Sequence, residues 1–268
     1  MSKRVISFCL YGNTPKYTHG LIEAIVSYKM LFINWEIWVY VSANSVSKNI
    51  IDIIKNFGCN VIMSKEVGTQ WEPTCIGPGE NNEPMFWRFL PLYEKDIDFF
   101  ISRDADSRCS IREKKMIDEF ITSNKSIHSI LDQGCHHGLM GGMCGFNMKQ
   151  LKQYSIPNLN DFISRQVNTN NITRRGQDQT WLRESFKEPI VNKDICIHIN
   201  HDIIKRHMEK GVLLEKMVFL HDVLLVDCCH IITEHCANFI GRQINVDSTP
   251  EDIKCRTNVY LPITYTRS

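Results

Sequence analysis

Two aspartates one residue apart, Asp104 and Asp106, stand where an apolar run ends in DFFISRDADSR, Asp98 to Arg108. Carboxylates at that spacing pack poorly but are good ligands for a hard divalent cation, magnesium or manganese. A cation held there binds a diphosphate and acts on it as a Lewis acid. Arg88, in PMFWRFLPLY, and Arg103, next to the triplet, carry guanidinium groups able to clamp phosphate oxygens. Further on, GQDQTWL puts Asp178 at the start of an apolar helix. An acid so placed can stabilise positive charge on a reacting carbon, act as a base or attack as a nucleophile. These residue types together suit chemistry at a metal-bound diphosphate, in which negative charge builds on a leaving group and positive charge on the carbon it leaves.

Such a site needs a sheet to hold it. Phe99, Phe100 and Ile101 are continuously apolar, as in a strand covered on both faces, and Ser102 to Ser107 reads as too polar to stay inside. The triplet is therefore expected at a strand's carboxyl end, where open α/β sheets bind ligands. Strands alternate with helices before it. Arg4 to Leu10 is a predicted strand, Tyr11-Gly12-Asn13 a turn, and Thr18 to Phe32 a helix with Leu21, Ile22, Ile25, Val26 and Lys29 at helical spacing. Glu36 to Val41, Val46 to Phe57 and Asn60 to Met63 follow as strand, helix and strand, with Gly58 as the helix stop. This βαβαβ half suits a mononucleotide. Ser64 to Glu83, rich in glycine, proline and asparagine, is a predicted long loop of the kind that closes over a ligand. Pro84 to Tyr93 reads as helical up to Pro91, Ser110 to Thr122 as a charged helix, Ile127 to Leu131 as a strand, and Gly138 to Asn147 as a glycine-rich strand or turn.

Composition sets the bounds. The chain has 268 residues, is 43% hydrophobic and carries a formal net charge of +1, enough for one large α/β domain and no reason to expect nucleic acid or a membrane surface as partner. Its N-terminus reads as a first strand rather than a signal peptide, and no stretch approaches the roughly 18 to 20 apolar residues of a membrane span. Eleven cysteines without a CxxC pair fit a reducing compartment and are read mostly as small core residues. The expectation is a cytoplasmic protein without membrane insertion, of bacterial or viral type.

The order of these motifs resembles the GT-A glycosyltransferases, nearest in pattern to the glycogenin-like family 8 type. The resemblance implies an α/β fold of GT-A (Rossmann-like) type, a mixed, mainly parallel sheet flanked by helices. It implies a single domain over 1–268, with about 1–107 binding the nucleotide and about 108–268 shaping the acceptor side and returning a C-terminal segment to the metal. Asp104 and Asp106 match the DxD motif that holds Mn2+ or Mg2+ against a nucleotide-sugar donor, and Arg88 falls where a basic residue contacts that donor. Tyr11 and Gly12 lie where the nucleoside is cradled, Gly142 within GGMCGFN faces the donor sugar, and Asp178 with Gln179 matches the Asp-Gln pair at the reacting sugar. His235 in EHCANFIG resembles the histidine that completes the metal shell, although the family's usual position is Asn238 here, and Glu234, His230 and His221 are substitutes. The implied activity is transfer of a UDP-linked sugar to a glycan or other hydroxyl acceptor, with retention favoured by the resemblance and left open by the residues.

Other readings fit parts of the pattern. Asp104-Ala105-Asp106-Ser107 also matches the motif of haloacid-dehalogenase-like magnesium phosphatases, but three predicted strands precede it, where that fold puts its nucleophile after the first. A module that binds sugar nucleotide or glycan without turnover would keep the metal site and idle Asp178. CCHIITEHC, Cys228 to Cys236, matches no usual zinc spacing, and the remaining histidines, His198 among them, read as core or surface residues with satisfied hydrogen bonds.

Overall fold

The computed structural model describes residues 3–64, 83–131, 138–168, 176–199 and 224–227. The chain opens with β1 (Lys3–Leu10), α1 (Pro15–Leu31), β2 (Glu36–Ser42), α2 (Lys48–Asn56) and β3 (Asn60–Ser64). A 3₁₀ helix (Glu83–Tyr93) leads into β4 (Ile97–Arg103), then α3 (Ile111–Ser123), β5 (Ile127–Leu131) and β6 (Met143–Asn147). Short helices α4 (Met148–Leu151), α5 (Leu159–Asn168), α6 (Gln177–Ser185) and α7 (Lys187–Val191) precede β7 (Ile195–Ile199) and β8 (Leu224–Asp227). Among the described residues the strands form one sheet in the order β3-β2-β1-β4-β6-β5-β7-β8. All neighbours are parallel except β6, which runs antiparallel to both β4 and β5. This is the expected mixed, mainly parallel sheet with helices on its faces.

Strand alternation sorts the side chains into two cores. Val5, Cys9, Trp38, Tyr40, Phe100 and Phe146 face the 3₁₀ helix and α6, whose Phe86, Phe89, Trp181 and Leu182 cover them. Ile6, Phe8, Leu10, Val39, Val41 and Ile101 face α1 and α2 on the other side. Burial rather than propensity holds α1. Gly20 inside the helix costs about 1 kcal/mol, whereas burying Leu21, Ile25 and Tyr28 contributes roughly 1.5–3 kcal/mol each. The buried stripe is Leu21, Ala24, Ile25 and Tyr28, so Val26 and Lys29 lie outside the face on which the sequence pattern placed them.

Four expectations are corrected. Helix α1 begins at Pro15, not Thr18, because Thr14-Pro15 is a start signal, with proline at the first helical position where its missing N–H costs nothing. The 3₁₀ helix continues through Pro91 to Tyr93, held by the buried Phe86, Trp87 and Phe89. Ser102, Arg103, Asp106 and Ser107 are buried rather than solvated. Alternation puts Arg103 on the α3 side with Ile101, where its Nε donates to Glu113 Oε1 at 2.6 Å and its Nη1 to the carbonyls of Ser102 and Cys144 at 2.7 and 3.0 Å. Tyr28 donates to the same Glu113 oxygen at 2.7 Å. Burial alone would lower the Arg103 pKa, but Glu113 holds the guanidinium charged. Arg103 is therefore a core ion-pair residue and not a phosphate clamp. The loop predicted over Ser64 to Glu83 lies almost wholly outside the described residues.

Candidate functional site

The carboxyl end of β4 delivers Asp104 and Asp106 to one edge of the sheet, and three other segments close around them. Arg88 comes from the 3₁₀ helix, Asp178 from the first turn of α6, and Gly141 and Gly142 from the turn entering β6. Arg88 Nη2 donates to Asp178 Oδ2 at 2.6 Å, and Nη1 donates to Asp104 Oδ1. Arg88 and Asp178 are each 3% exposed, whereas the Asp104 side chain is 42% exposed and opens to solvent. Burial would lower the Arg88 pKa, but Asp104 and Asp178 outweigh it and keep the guanidinium charged. Asp178 thus has a partner that its place in a helix N-terminal turn does not require, although that turn also suits a carboxylate.

Asp106 is buried, and its Oδ2 meets Lys16 Nζ at 3.2 Å without accepting an aligned hydrogen bond. Burial and the neighbouring Asp104 push its pKa up, opposed by Lys16. Lys16 lies in the first turn of α1 and is a site residue the sequence pattern missed; the Thr14-Pro15 start signal would have placed it. Helix α1 itself sits against the triplet. A Cβ at Gly20 would come within 3.1 Å of the Ala105 carbonyl oxygen and 3.3 Å of Asp106 Cα.

Gly141 and Gly142 are required by close approach. A Cβ at Gly141 would collide with Asp178 Oδ2 and Arg88 Nη2, and one at Gly142 with the Asp104 carboxylate. Ser102 fixes this turn by donating to the Gly141 carbonyl at 2.6 Å. At the end of β1, Gly12 N donates to Ser45 Oγ at 2.9 Å and Asn13 Oδ1 accepts from Ser47 N at 2.9 Å, which ties the Tyr11-Gly12-Asn13 turn to the loop after β2. Tyr11 is half-buried, and burial, reinforced by Cys9, pushes its phenol pKa up. Gln179, half-buried, follows Asp178 on α6. The structure thus brings Asp104, Asp106, Arg88, Gly142 and Asp178 together and leaves Arg103 out. His235, Glu234, His230 and His221 lie outside the described residues.

Asp104 and Asp106 are the carboxylates here that could hold a hard divalent cation. Three carboxylates (Asp104, Asp106 and Asp178) face two cations (Arg88 and Lys16), leaving one negative charge. Asp178 Oδ1 is buried without a hydrogen-bond partner, as is Arg88 Nε. Oxygen ligands of this kind select magnesium or manganese over softer metals.

Neither a protein-family profile nor a curated protein sequence matches this chain. Among solved structures, the galactosyltransferase LgtC with donor and acceptor sugar analogues is similar over 83% of this chain and 84% of its own, at 14% identity and a TM-score of 0.48. A cytidylyltransferase from Leptospira borgpetersenii is similar over 75% of this chain and 76% of its own, at 13% identity and a TM-score of 0.45. The S. aureus protein TarS in complex with UDP is similar over 80% of this chain and 75% of its own, at 13% identity and a TM-score of 0.42. At such values none of the three decides a reaction, and the chemistry rests on this chain's own residues. Among those described, no helix is long and apolar enough to cross a membrane.

Proposed function

We propose that this chain is a metal-dependent glycosyltransferase of GT-A architecture that moves a sugar from a nucleotide diphosphate, UDP-linked, to a glycan or other hydroxyl acceptor. The observation that carries the proposal is the buried guanidinium of Arg88, ion-paired to both Asp104 and Asp178 beneath glycines that leave the approach clear. In this reading Asp104 and Asp106, with His235 as the expected third ligand, hold Mn2+ or Mg2+. An ion held there would supply Lewis-acid stabilisation of a leaving diphosphate.

The chain's own residues do the rest. Arg88 is charged and positioned before donor arrives, and a phosphate oxygen can replace Asp104 at Nη1 while Asp178 keeps Nη2 in place. Lys16, held at the triplet by Asp106, adds positive charge near the same phosphates. Gly141 and Gly142 let the donor come against the backbone, and Tyr11 with Gly12 borders the nucleoside side. Asp178 offers Oδ1, buried and bare of hydrogen bonds, to the positive charge that develops at the anomeric carbon. With Gln179 beside it, Asp178 would support transfer with retention, and 108–268 would shape the acceptor side.

Thermal shift against UDP-, GDP- and CDP-linked sugars, each with and without Mn2+, tests the proposal. A donor at 100 times its Kd should stabilise the fold by about 2.7 kcal/mol, or roughly 5–10 °C. Stabilisation by one nucleotide class only with Mn2+ is expected. A response to free nucleoside triphosphate alone would move the reaction to nucleotidyl transfer, and a response only to magnesium with a phosphate mimic would move it to phosphate hydrolysis.

A further inference from the structure

The face of the sheet opposite the Arg88–Asp178 pair carries a second cluster of ligand-type side chains, independent of any donor chemistry. In the parallel pairing of β5 with β7, His128 is the Cα partner of Cys196, and His198 lies two residues further along β7. Alternation puts Ile127, Ile195, Ile197 and Ile199 into the core under the 3₁₀ helix and turns His128, Cys196 and His198 the other way, beneath α3. All three are buried, and one donor atom from each lies within 4.8 Å of the others. His128 Nε2 stands 2.8 Å from His198 Nδ1, and Cys196 Sγ stands 4.0 Å from that same nitrogen. Helix α3 closes the cluster with Phe120 stacked on His128, ring centroids 4.9 Å apart, and with Glu119, whose Oε2 lies 2.8 Å from His198 Nε2.

We propose that His128, Cys196 and His198 form a binding site for a borderline transition-metal ion, zinc, that ties β5 to β7 beneath α3. Two imidazoles and a thiol select such an ion over magnesium or manganese. Tetrahedral zinc with bonds near 2.0–2.3 Å sets its donor atoms about 3.3–3.7 Å apart. To reach that range the 2.8 Å separation opens by about half an ångström and the 4.0 Å separation closes by about a third of one. Glu119 supplies the outer carboxylate that orients a metal-binding histidine, because accepting from His198 Nε2–H leaves the Nδ1 lone pair facing the cluster. His128 Nδ1 is buried without a partner, so no hydrogen bond there fixes the tautomer, and Nε2 can turn its lone pair inward. On coordination the thiol proton leaves to solvent, and the Cys196 thiolate with the Glu119 carboxylate balances the two charges of the ion.

The test uses the full, untagged chain. Zinc content is measured after gel filtration, and the metal is then exchanged for cobalt(II), whose thiolate charge-transfer absorption reports a sulfur ligand. About one zinc per chain is expected, with a thiolate band that disappears in Cys196→Ala and persists in Cys109→Ala. His198→Gln should weaken zinc binding at least tenfold and decides the matter should Cys196→Ala fail to fold. The proposed donor site has no sulfur ligand, so the band appears or fails regardless of whether sugar is transferred. A folded chain without zinc, or a band surviving in both Cys196→Ala and His198→Gln, would overturn the proposal and leave the cluster as a hydrogen-bonded chain from His128 through His198 to Glu119.

Discussion

Arg88 answers two carboxylates with one guanidinium, and the two differ in what they can give up. Asp104 is half open to water and can surrender its bond to an incoming ligand, while Asp178 is sealed beside the arginine. The roles proposed for them separate accordingly. Asp178→Asn keeps the shape and an acceptor oxygen but loses the charge, so turnover should fall on the order of 100-fold while donor KM stays within a few-fold. Steady-state kinetics with the donor found by thermal shift checks this, and loss of donor binding instead would make Asp178 a positioning residue. Asp104, Asp106 and Asp178 were legible in the sequence because each stands at an element boundary where an apolar pattern breaks, and Arg88 because it is a lone charge inside an apolar run. Lys16 was not, because a lysine after Thr14-Pro15 reads as loop unless the proline is taken as a helix start. Arg103 was misassigned by its neighbourhood. Only the alternation of β4, continued beyond Ile101, shows that it turns away toward Glu113.

At the scale of elements, the turn into β6 is the narrowest part of the site, and its two glycines should fail differently. A methyl at Gly142 meets the end of the half-exposed Asp104 side chain, which can rotate away. Gly142→Ala should therefore leave thermal stability nearly unchanged and weaken Mn2+-dependent donor binding tenfold or more. A methyl at Gly141 meets Arg88 and Asp178, both buried and held, so Gly141→Ala should also cost about 1–3 kcal/mol of stability. Urea unfolding and donor titration of the two variants separate these outcomes, and equal stability losses would count against the geometry. Most elements were legible from periodicity, and Ile127–Leu131 matches to the residue because a short apolar run lies between polar turns. Less legible was the segment through Pro91. Proline breaks an α-helical ladder, but here a 3₁₀ helix is held by the aromatic side chains it buries. The His128–Cys196–His198 cluster was invisible for another reason, since its ligands come from strands some 70 residues apart that only the β5–β7 register joins.

Over the whole molecule, burial of ionisable groups sets how the fold responds to pH. The Cys9 and Cys144 thiols are pushed up by burial from 9.0 to about 11 and about 12, and Tyr28 is raised well above 10.0 by burial and by Glu113. Each of these acids holds its proton more tightly in the folded state. Stability is therefore intact below pH 9 and falls as pH rises through the unfolded values toward the folded ones. Each such group contributes a slope of at most about 1.4 kcal/mol per pH unit. Urea unfolding at pH 7.5, 9.5 and 10.5 should show falling midpoints, and unchanged midpoints would contradict the burial of these groups. The antiparallel insertion of β6 has a different consequence. Its residues pair with β4 along Ile101↔Gly145 and Arg103↔Met143, so the segment before Ser107 and the segment after it are stitched together at the strand that bears the triplet. A chain cut after Ser107 would leave one side of β4 as a bare, apolar edge and Arg88 without Asp178. The two parts of this protein are therefore not exchangeable modules, and a new acceptor side could be grafted on only if it brought its own strand to lie against β4.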